Sequence, residues 1–187
     1  RYLGFSEWTP NQINAALEIA GPDFFVSSQP QYSMLWQAPE AELFPLCAEQ
    51  QISNIVWSPL AEGVLSGKYA PGGEIPSDSR AASASMSTFI KDKLNDRTLE
   101  AVARLKPVAD GAGMTLVDLA LAWVLRRPEV ASAIIGASRP DQVRANAAAS
   151  GRQLSPDVLA AVDEALGDVP VTGPRLAPGA SAGITHR

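Results

Sequence analysis

At 187 residues the chain is long enough for one domain with a sizeable buried core, and its 46 % apolar and 19 % charged residues exclude a disordered polymer. A net charge of −5 excludes a general affinity for nucleic acid, because that recognition begins with a basic surface. No apolar run approaches the ~20 residues of a membrane span and no signal peptide opens the chain, so a cytoplasmic protein without membrane or nucleic-acid partners is expected.

Tyr2 to Phe5 reads as a short buried strand, followed by the loop Ser6-Glu7-Trp8. These opening residues have the character of a strand interior, so further residues are expected upstream. Thr9-Pro10-Asn11-Gln12 supplies an N-cap, a proline at the first helical position and a glutamine three residues past the cap. That capping box predicts a helix from Pro10 to Ala20, closed by Gly21. Phe24 to Gln29 is the second strand and runs into Pro30-Gln31-Tyr32-Ser33. A helix is expected over about Glu40 to Gln51, with Pro45 marking a kink or a late start, and Cys47 within it reads as a buried structural thiol.

Ile52 to Trp57 is a β-branched apolar run, the pattern of a buried strand in a parallel sheet. Its exit, Ser58-Pro59-Leu60, leads through Gly63, Gly67 and Lys68 into a Gly-, Pro- and Ser-rich segment that reaches Arg80. A buried strand opening into hydroxyl, glycine and cationic groups is the layout of an anion- or nucleotide-binding edge in parallel α/β folds. A helix is expected near Arg97 to Ala109, and Thr115 caps another whose Leu116, Leu119, Ala120, Trp123 and Val124 form one buried stripe. Arg126 and Arg127 suit its C-terminal dipole, and Pro128 stops it. Ala131 to Gly136 is the fourth strand; Ser138-Arg139-Pro140-Asp141 opens a helix through Ala149, and Ser155-Pro156 opens a last one ending at Gly167. Residues 171–187 are rich in Gly, Pro and Ala, lack periodicity and read as a mobile tail.

Four strands, each followed by helix, make four βα units of a parallel α/β fold. A closed (β/α) barrel needs eight. Either the other half lies elsewhere, or the four strands form an open sheet or pair with a second copy.

The stretches RYLGFSEW, SSQPQYSML, IVWSPLAEGVLSGKY and AIIGASRPDQVRAN, in this order and spacing, resemble the last four βα units of the aldo-keto reductases. They look most like the branch that includes the potassium-channel β subunits and their bacterial relatives. The resemblance covers about residues 1–166. It implies the C-terminal half of a (β/α)8 TIM barrel over residues 1–170, an NADP(H) cofactor bound in extended form without a Rossmann motif, and reduction of a small-molecule aldehyde or ketone. No G-x-G-x-x-G occurs here, in agreement.

Carried over position by position, the resemblance implies that Ser6 and Gln29 hold the nicotinamide carboxamide and that Trp57 stacks on its ring. Ser58, Leu60 and Gly63 match the loop approaching the pyrophosphate, with Lys68 and Arg80 the cations along it. Gly136, Ser138, Gln142 and Asn146 match the group holding the adenosine end, with Arg139 a partner for a 2′-phosphate. Glu7 stands where the family usually has Asn or Arg, and Ala145 where it commonly has Glu. Phosphate sites in such barrels form after the seventh and eighth strands, at helix N-termini. Those are the third and fourth strands of this chain.

The family's catalytic Asp, Tyr, Lys and His come from the first half of the barrel. The one histidine here is His186 in the tail, and none of Tyr2, Tyr32 and Tyr69 matches the position of the catalytic acid. The chain therefore reads as the cofactor half of an oxidoreductase, inactive alone and completed by an N-terminal half-barrel or a second copy. The alternative is a non-catalytic NADP(H)-binding interaction or regulatory module resembling the channel β subunits. Exposed sheet edges favour self-association in either case, so a homo-oligomer is expected.

Overall fold

The computed structural model describes residues 1–77, 79–85 and 87–178, with the side chain of Phe89 not described; His186 and the rest of 179–187 lie outside the described residues. Four strands, β1 (Leu3–Phe5), β2 (Phe25–Ser28), β3 (Ser53–Val56) and β4 (Val130–Ala133), form one sheet in the order β1-β2-β3-β4. Every neighbouring pair is parallel. Helix α1 (Pro10–Ala20) joins β1 to β2 and α2 (Leu43–Glu49) precedes β3. Helices α3 (Asp96–Gly111) and α4 (Leu116–Leu125) lie between β3 and β4, and α5 (Pro140–Ala148) and α6 (Pro156–Leu166) follow β4. This is the predicted run of four βα units. Among the described residues, the outer edges of β1 and β4 pair with no strand.

Local chemistry explains most of the boundaries. Thr9 and Gln12 form the expected capping box of α1, with Thr9 N donating to Gln12 Oε1 at 2.9 Å and Gln12 N to Thr9 Oγ1 at 3.3 Å. Thr115 and Asp118 repeat it at α4. The helix expected over Glu40 to Gln51 is shorter: a single 3-10 turn covers Ala38–Glu40, and α2 starts at Leu43. Pro45 is the third residue of α2, where its missing N–H leaves no intrahelical bond unmade. The strands are also shorter than predicted, so that Gln29, Trp57 and Gly136 lie beyond strand ends.

Burial alternates along β3: Ser53 is exposed, Asn54 buried, Ile55 half-buried and Val56 buried. One face of the sheet is thus covered by helices while the other is open. The main core joins Val56 to Val64, Leu65, Leu105, Leu119, Trp123 and Leu166, and a second cluster joins Phe5, Ile13, Leu43, Cys47 and Ile52. At the sheet itself, Leu3, Val26 and Ile134 remain 51 %, 40 % and 45 % exposed. Gly4 is fixed by close approach, because a Cβ there would stand 2.3 Å from Ser27 Oγ and 2.7 Å from Ser27 O. No single described helix is long and apolar enough to cross a membrane.

The segment read as a mobile tail is held down over its described part. Val171 N donates to Leu35 O at 3.0 Å, Gln37 N donates to Val171 O at 2.8 Å, and Ala177 is buried.

Candidate functional site

Parallel strands deliver their C-terminal ends to one rim, and backbone bonds carry the ladder past the strand ends. Gln29 N donates to Phe5 O at 2.9 Å, Trp57 N to Pro30 O at 3.1 Å and Ile134 N to Val56 O at 2.7 Å. Most of the sequence-predicted residues therefore fall on this rim, in two neighbouring groups, with Arg139 and Asn146 outside them.

The first group lines a cleft of about 450 Å³ between the exits of β3 and β4. Small-molecule clefts span roughly 300–1,000 Å³. Ser58, Leu60, Gly63, Lys68, Arg80, Gly136, Ser138 and Gln142 all border it. The β3 exit bends through four left-handed positions, Ser58 (φ 53°), Ala61 (φ 47°), Glu62 (φ 56°) and Gly63 (φ 103°). Only glycine takes that hand without steric cost, so three of the four store strain that the surrounding packing must hold. Buried Ala61, Val64 and Leu65 hold the loop from below, and Ala61 N donates to Ser58 O and Gly63 N to Leu60 O, both at 2.9 Å.

Opposite, the β4 exit ends at the N-terminus of α5. Gln142 Oε1 accepts from Ser138 N at 2.8 Å, from Ser138 Oγ at 3.1 Å and from Arg139 N at 3.2 Å. The N-cap is Arg139, whose own N–H is taken by the Gln142 side chain reaching back from the third helical position, the reciprocal half of a capping box. Arg139 borders the adjoining surface with Ala137 and Ser138, whereas Asn146 faces a separate groove between α4, α5 and β4. The loop places Glu62 in the cleft as well, a residue the sequence reading passed over. Its carboxylate, 7 % exposed, is held 2.8 Å from Lys93 Nζ, so the negative charge is matched from behind while exposed Lys68 and Arg80 face the opening.

The second group sits at the exits of β1, β2 and β3. Ser6 Oγ donates to Gln29 O at 2.7 Å. Trp57 is half-buried, and its Nε1 donates to Glu7 Oε1 at 3.0 Å. Glu7, itself in the left-handed region at φ 55°, also accepts from Gln31 N at 2.6 Å and, on Oε2, from Ala177 N at 2.8 Å. Nothing in the local sequence marks this junction, since its partners lie 24, 50 and 170 residues away.

The other ionisable candidates are structural. Tyr32 is fully buried, stacked on Trp123 and edge-on to Phe44, with its hydroxyl donating to Glu40 and accepting from Arg126 Nη1 at 2.8 Å. Burial pushes its pKa well up, Arg126 opposes that rise and Glu40 adds to it. Tyr69 is 5 % exposed and Tyr2, at the opposite end of β1 from the rim, is 75 % exposed. Cys47 is buried as expected, and burial pushes its thiol up to about 11.

A family model described as the aldo/keto reductase family matches residues 1–166, and the chain belongs to that family. It is 42 % identical over 152 residues to a probable voltage-gated potassium channel subunit beta of Arabidopsis thaliana, covering 78 % of this chain and 45 % of that protein. It is 35 % identical over 159 residues to the NADH-specific methylglyoxal reductase of Escherichia coli K12, covering 83 % of this chain and 45 % of that protein. The chain spans about half the length of these curated relatives. The solved glycerol dehydrogenase of Gluconobacter oxydans superposes with a TM-score of 0.74 at 24 % identity, over 95 % of this chain and 53 % of that one. That likeness shows the fold: the open parallel sheet and its helices are half of a TIM barrel.

Proposed function

We propose that this chain supplies the cofactor-binding half of an NADP(H)-dependent aldo-keto reductase acting on an aldehyde or ketone. The observation that carries this reading is the cleft joining the exits of β3 and β4, where Lys68 and Arg80 meet a loop of left-handed backbone. Its chemistry fits an extended dinucleotide. The Trp57 ring offers a flat apolar surface for the nicotinamide, with Ser6 and Gln29 beside it for the carboxamide. The Ser58–Gly63 loop and the two cations suit the pyrophosphate, and Gly136, Ser138 and Gln142 extend the track toward the adenosine, while Asn146 would reach it only from the neighbouring groove. Arg139, bordering the adjoining surface, suits a 2′-phosphate and so NADP(H) over NAD(H). Such a cofactor supplies or accepts hydride when bound.

The general acid comes from outside this chain in this reading. A proton donor must lie within hydrogen-bond reach of the reacting oxygen. Tyr32 and Tyr69 are buried in the outer layer, and Tyr2 lies away from the rim. The complete barrel would be the enzyme, working as a cytoplasmic protein, and the chain alone would show no turnover.

The test is a titration of the purified chain with NADPH and with NADH, followed by tryptophan fluorescence. Saturable quenching, weaker for NADH and weakened by Lys68→Ala and Arg139→Ala, is expected. A folded chain that shows no saturable quenching with either nucleotide refutes the reading.

A second reading draws on the similarity to proteins named as potassium channel β subunits. Here the chain binds NADP(H) and couples it to a partner protein. The edges of β1 and β4, which pair with no strand among the described residues, support self-association in both readings. A monodisperse monomer in sedimentation velocity would refute that element.

A further inference from the structure

Among the described residues, Glu7 is the one side chain that ties all three of the first strand exits and the C-terminal segment together. Its two oxygens accept three N–H groups: Trp57 Nε1 at 3.0 Å and Gln31 N at 2.6 Å on Oε1, and Ala177 N at 2.8 Å on Oε2. These donors come from the exit of β3, the exit of β2 and the segment after α6. The backbone of Glu7 is held at φ 55°, a hand costly for a residue with a Cβ, and it turns the side chain into this junction. Residues 174–176 then lie over an apolar hollow lined by Trp8, Trp36, Pro39 and Leu43. Their register is set at one end by Val171 on Leu35 and at the other by Ala177 on Glu7.

We propose that Glu7 is a positioning residue, whose carboxylate fixes the plane of the Trp57 indole as the seat of the nicotinamide and straps residues 171–178 across the rim. The inference rests on the cofactor reading for the role of the Trp57 ring, but the clamp itself is a property of the chain alone. An indole held only by packing can rock about its χ angles; one whose N–H is tied to a fixed carboxylate presents a single face. The same carboxylate also holds Ala177 on its other oxygen, so one side chain serves both the ring and the strap.

The two oxygens give the test its logic. In Glu7→Gln the amide oxygen can replace only one of them. Placing it at the Oε1 position keeps two bonds, to Trp57 and Gln31, and sets the amide NH₂ against the Ala177 N–H, which has then lost its acceptor. The reverse orientation loses two bonds to keep one. Glu7→Gln should therefore release the strap and spare the ring, whereas Glu7→Ala should release both.

The experiment is NMR of the chain labelled with ¹⁵N, the Trp57 indole resonance being assigned by Trp57→Phe, with amide exchange at Ala177 and tryptic cleavage after Arg175 as reporters of the strap. Expected in Glu7→Gln are an indole resonance near its wild-type position and amide exchange at Ala177 at least roughly tenfold faster, the loss of about one charge-assisted hydrogen bond. In Glu7→Ala the indole resonance moves as well. Should Glu7→Ala fail to fold, Glu7→Gln still decides. An unchanged Ala177 exchange rate in Glu7→Gln, or an unmoved indole resonance in a folded Glu7→Ala, overturns the proposal. NADPH affinity is read in parallel: Glu7→Ala should weaken it roughly fivefold, and Glu7→Gln should recover most of that loss. Should the wild-type chain bind no nucleotide, the cofactor reading fails while the resonances still judge the clamp.

Discussion

Replacing Tyr32 by Phe tests how the outer layer holds the loop that carries Gln29 and Gln31. The substitution keeps the fully buried ring stacked on Trp123, whose centroid lies 5.3 Å away, and removes only the hydroxyl. Both groups that bond the hydroxyl keep other partners: Arg126 Nη1 still donates to Trp123 O at 2.8 Å, and Arg126 Nη2 still meets Glu40 Oε1 at 3.1 Å. Hydrogen bonds to charged groups are worth about 1.5–3 kcal/mol, and with nothing left stranded the lower end applies, about 1.5 kcal/mol at pH 7. Such a loss lowers Tm by roughly 3–6 °C in a chain of this size. The pH dependence is more diagnostic. Burial raises the folded-state pKa of Tyr32 above the ~10 of an unfolded tyrosine, so its stabilisation is complete below pH ~10 and is lost above it, where the unfolded chain ionises and the folded one does not. The slope is about 1.4 kcal/mol per pH unit, and the Phe variant lacks it. Urea denaturation at pH 7 and pH 11 should therefore show the wild-type advantage shrinking to near zero at about pH 11. A gap that stays constant across that range would refute the assignment of a buried, neutral Tyr32.

Three further substitutions probe other parts of the rim and its supports. Cys47 is held up to about 11 by burial, so its stabilisation is present below the ~9 of a free thiol and declines from there to about 11; Cys47→Ala should flatten that part of the alkaline decline in urea midpoints, and in the wild type the thiol should react with a disulfide reagent at pH 8 only as fast as the chain opens. Gly4→Ala forces a Cβ to within 2.3 Å of Ser27 Oγ and 2.7 Å of Ser27 O, so β1 must part from β2, at about 3 kcal/mol or more read as a lower Tm; an unchanged Tm would contradict the close approach. Lys93→Ala leaves the Glu62 carboxylate unmatched behind the cleft, and although Lys93 does not line it, NADPH binding should weaken roughly fivefold, about 1 kcal/mol; equal affinity in a fluorescence titration would show that Glu62 does not bear on the bound anion.

What the sequence could reveal depended on the range of the interaction. Thr9 with Gln12 and Thr115 with Asp118 are contacts three residues long, and their helices begin where that spacing says. The Ser58–Lys68 loop could be singled out because hydroxyl, glycine and cation succeed one another along the chain, and its residues do border one cleft. Other features turn on reach rather than spacing. Helix α5 starts after Arg139, with the Gln142 side chain folded back onto the N–H groups of Ser138 and Arg139, and no residue pattern distinguishes that from a helix capped by Ser138. The hold on residues 171–178 runs largely through backbone N–H and C=O groups, which every residue carries, so their Gly- and Pro-rich composition gave no sign of it. Glu7 is the extreme case: a departure from the family pattern was visible, but its donors are brought to it only by the fold.

The two halves of the rim consequently stand on different foundations. The cleft after β3 and β4 grows out of the main core, with Val56, Ala61, Val64 and Leu65 all fully buried beneath it, so its strained loop is held by packing that this chain supplies itself. The Ser6, Gln29 and Trp57 side lies next to β1, an edge strand of three residues whose outer side pairs with nothing among the described residues. A smaller apolar cluster around Phe5 lies beneath it, and directed bonds, chiefly the three that converge on Glu7, add to its order. The β1 side of the rim thus concentrates its directed bonds in one replaceable side chain, and closure of the barrel beside β1 would add burial to it.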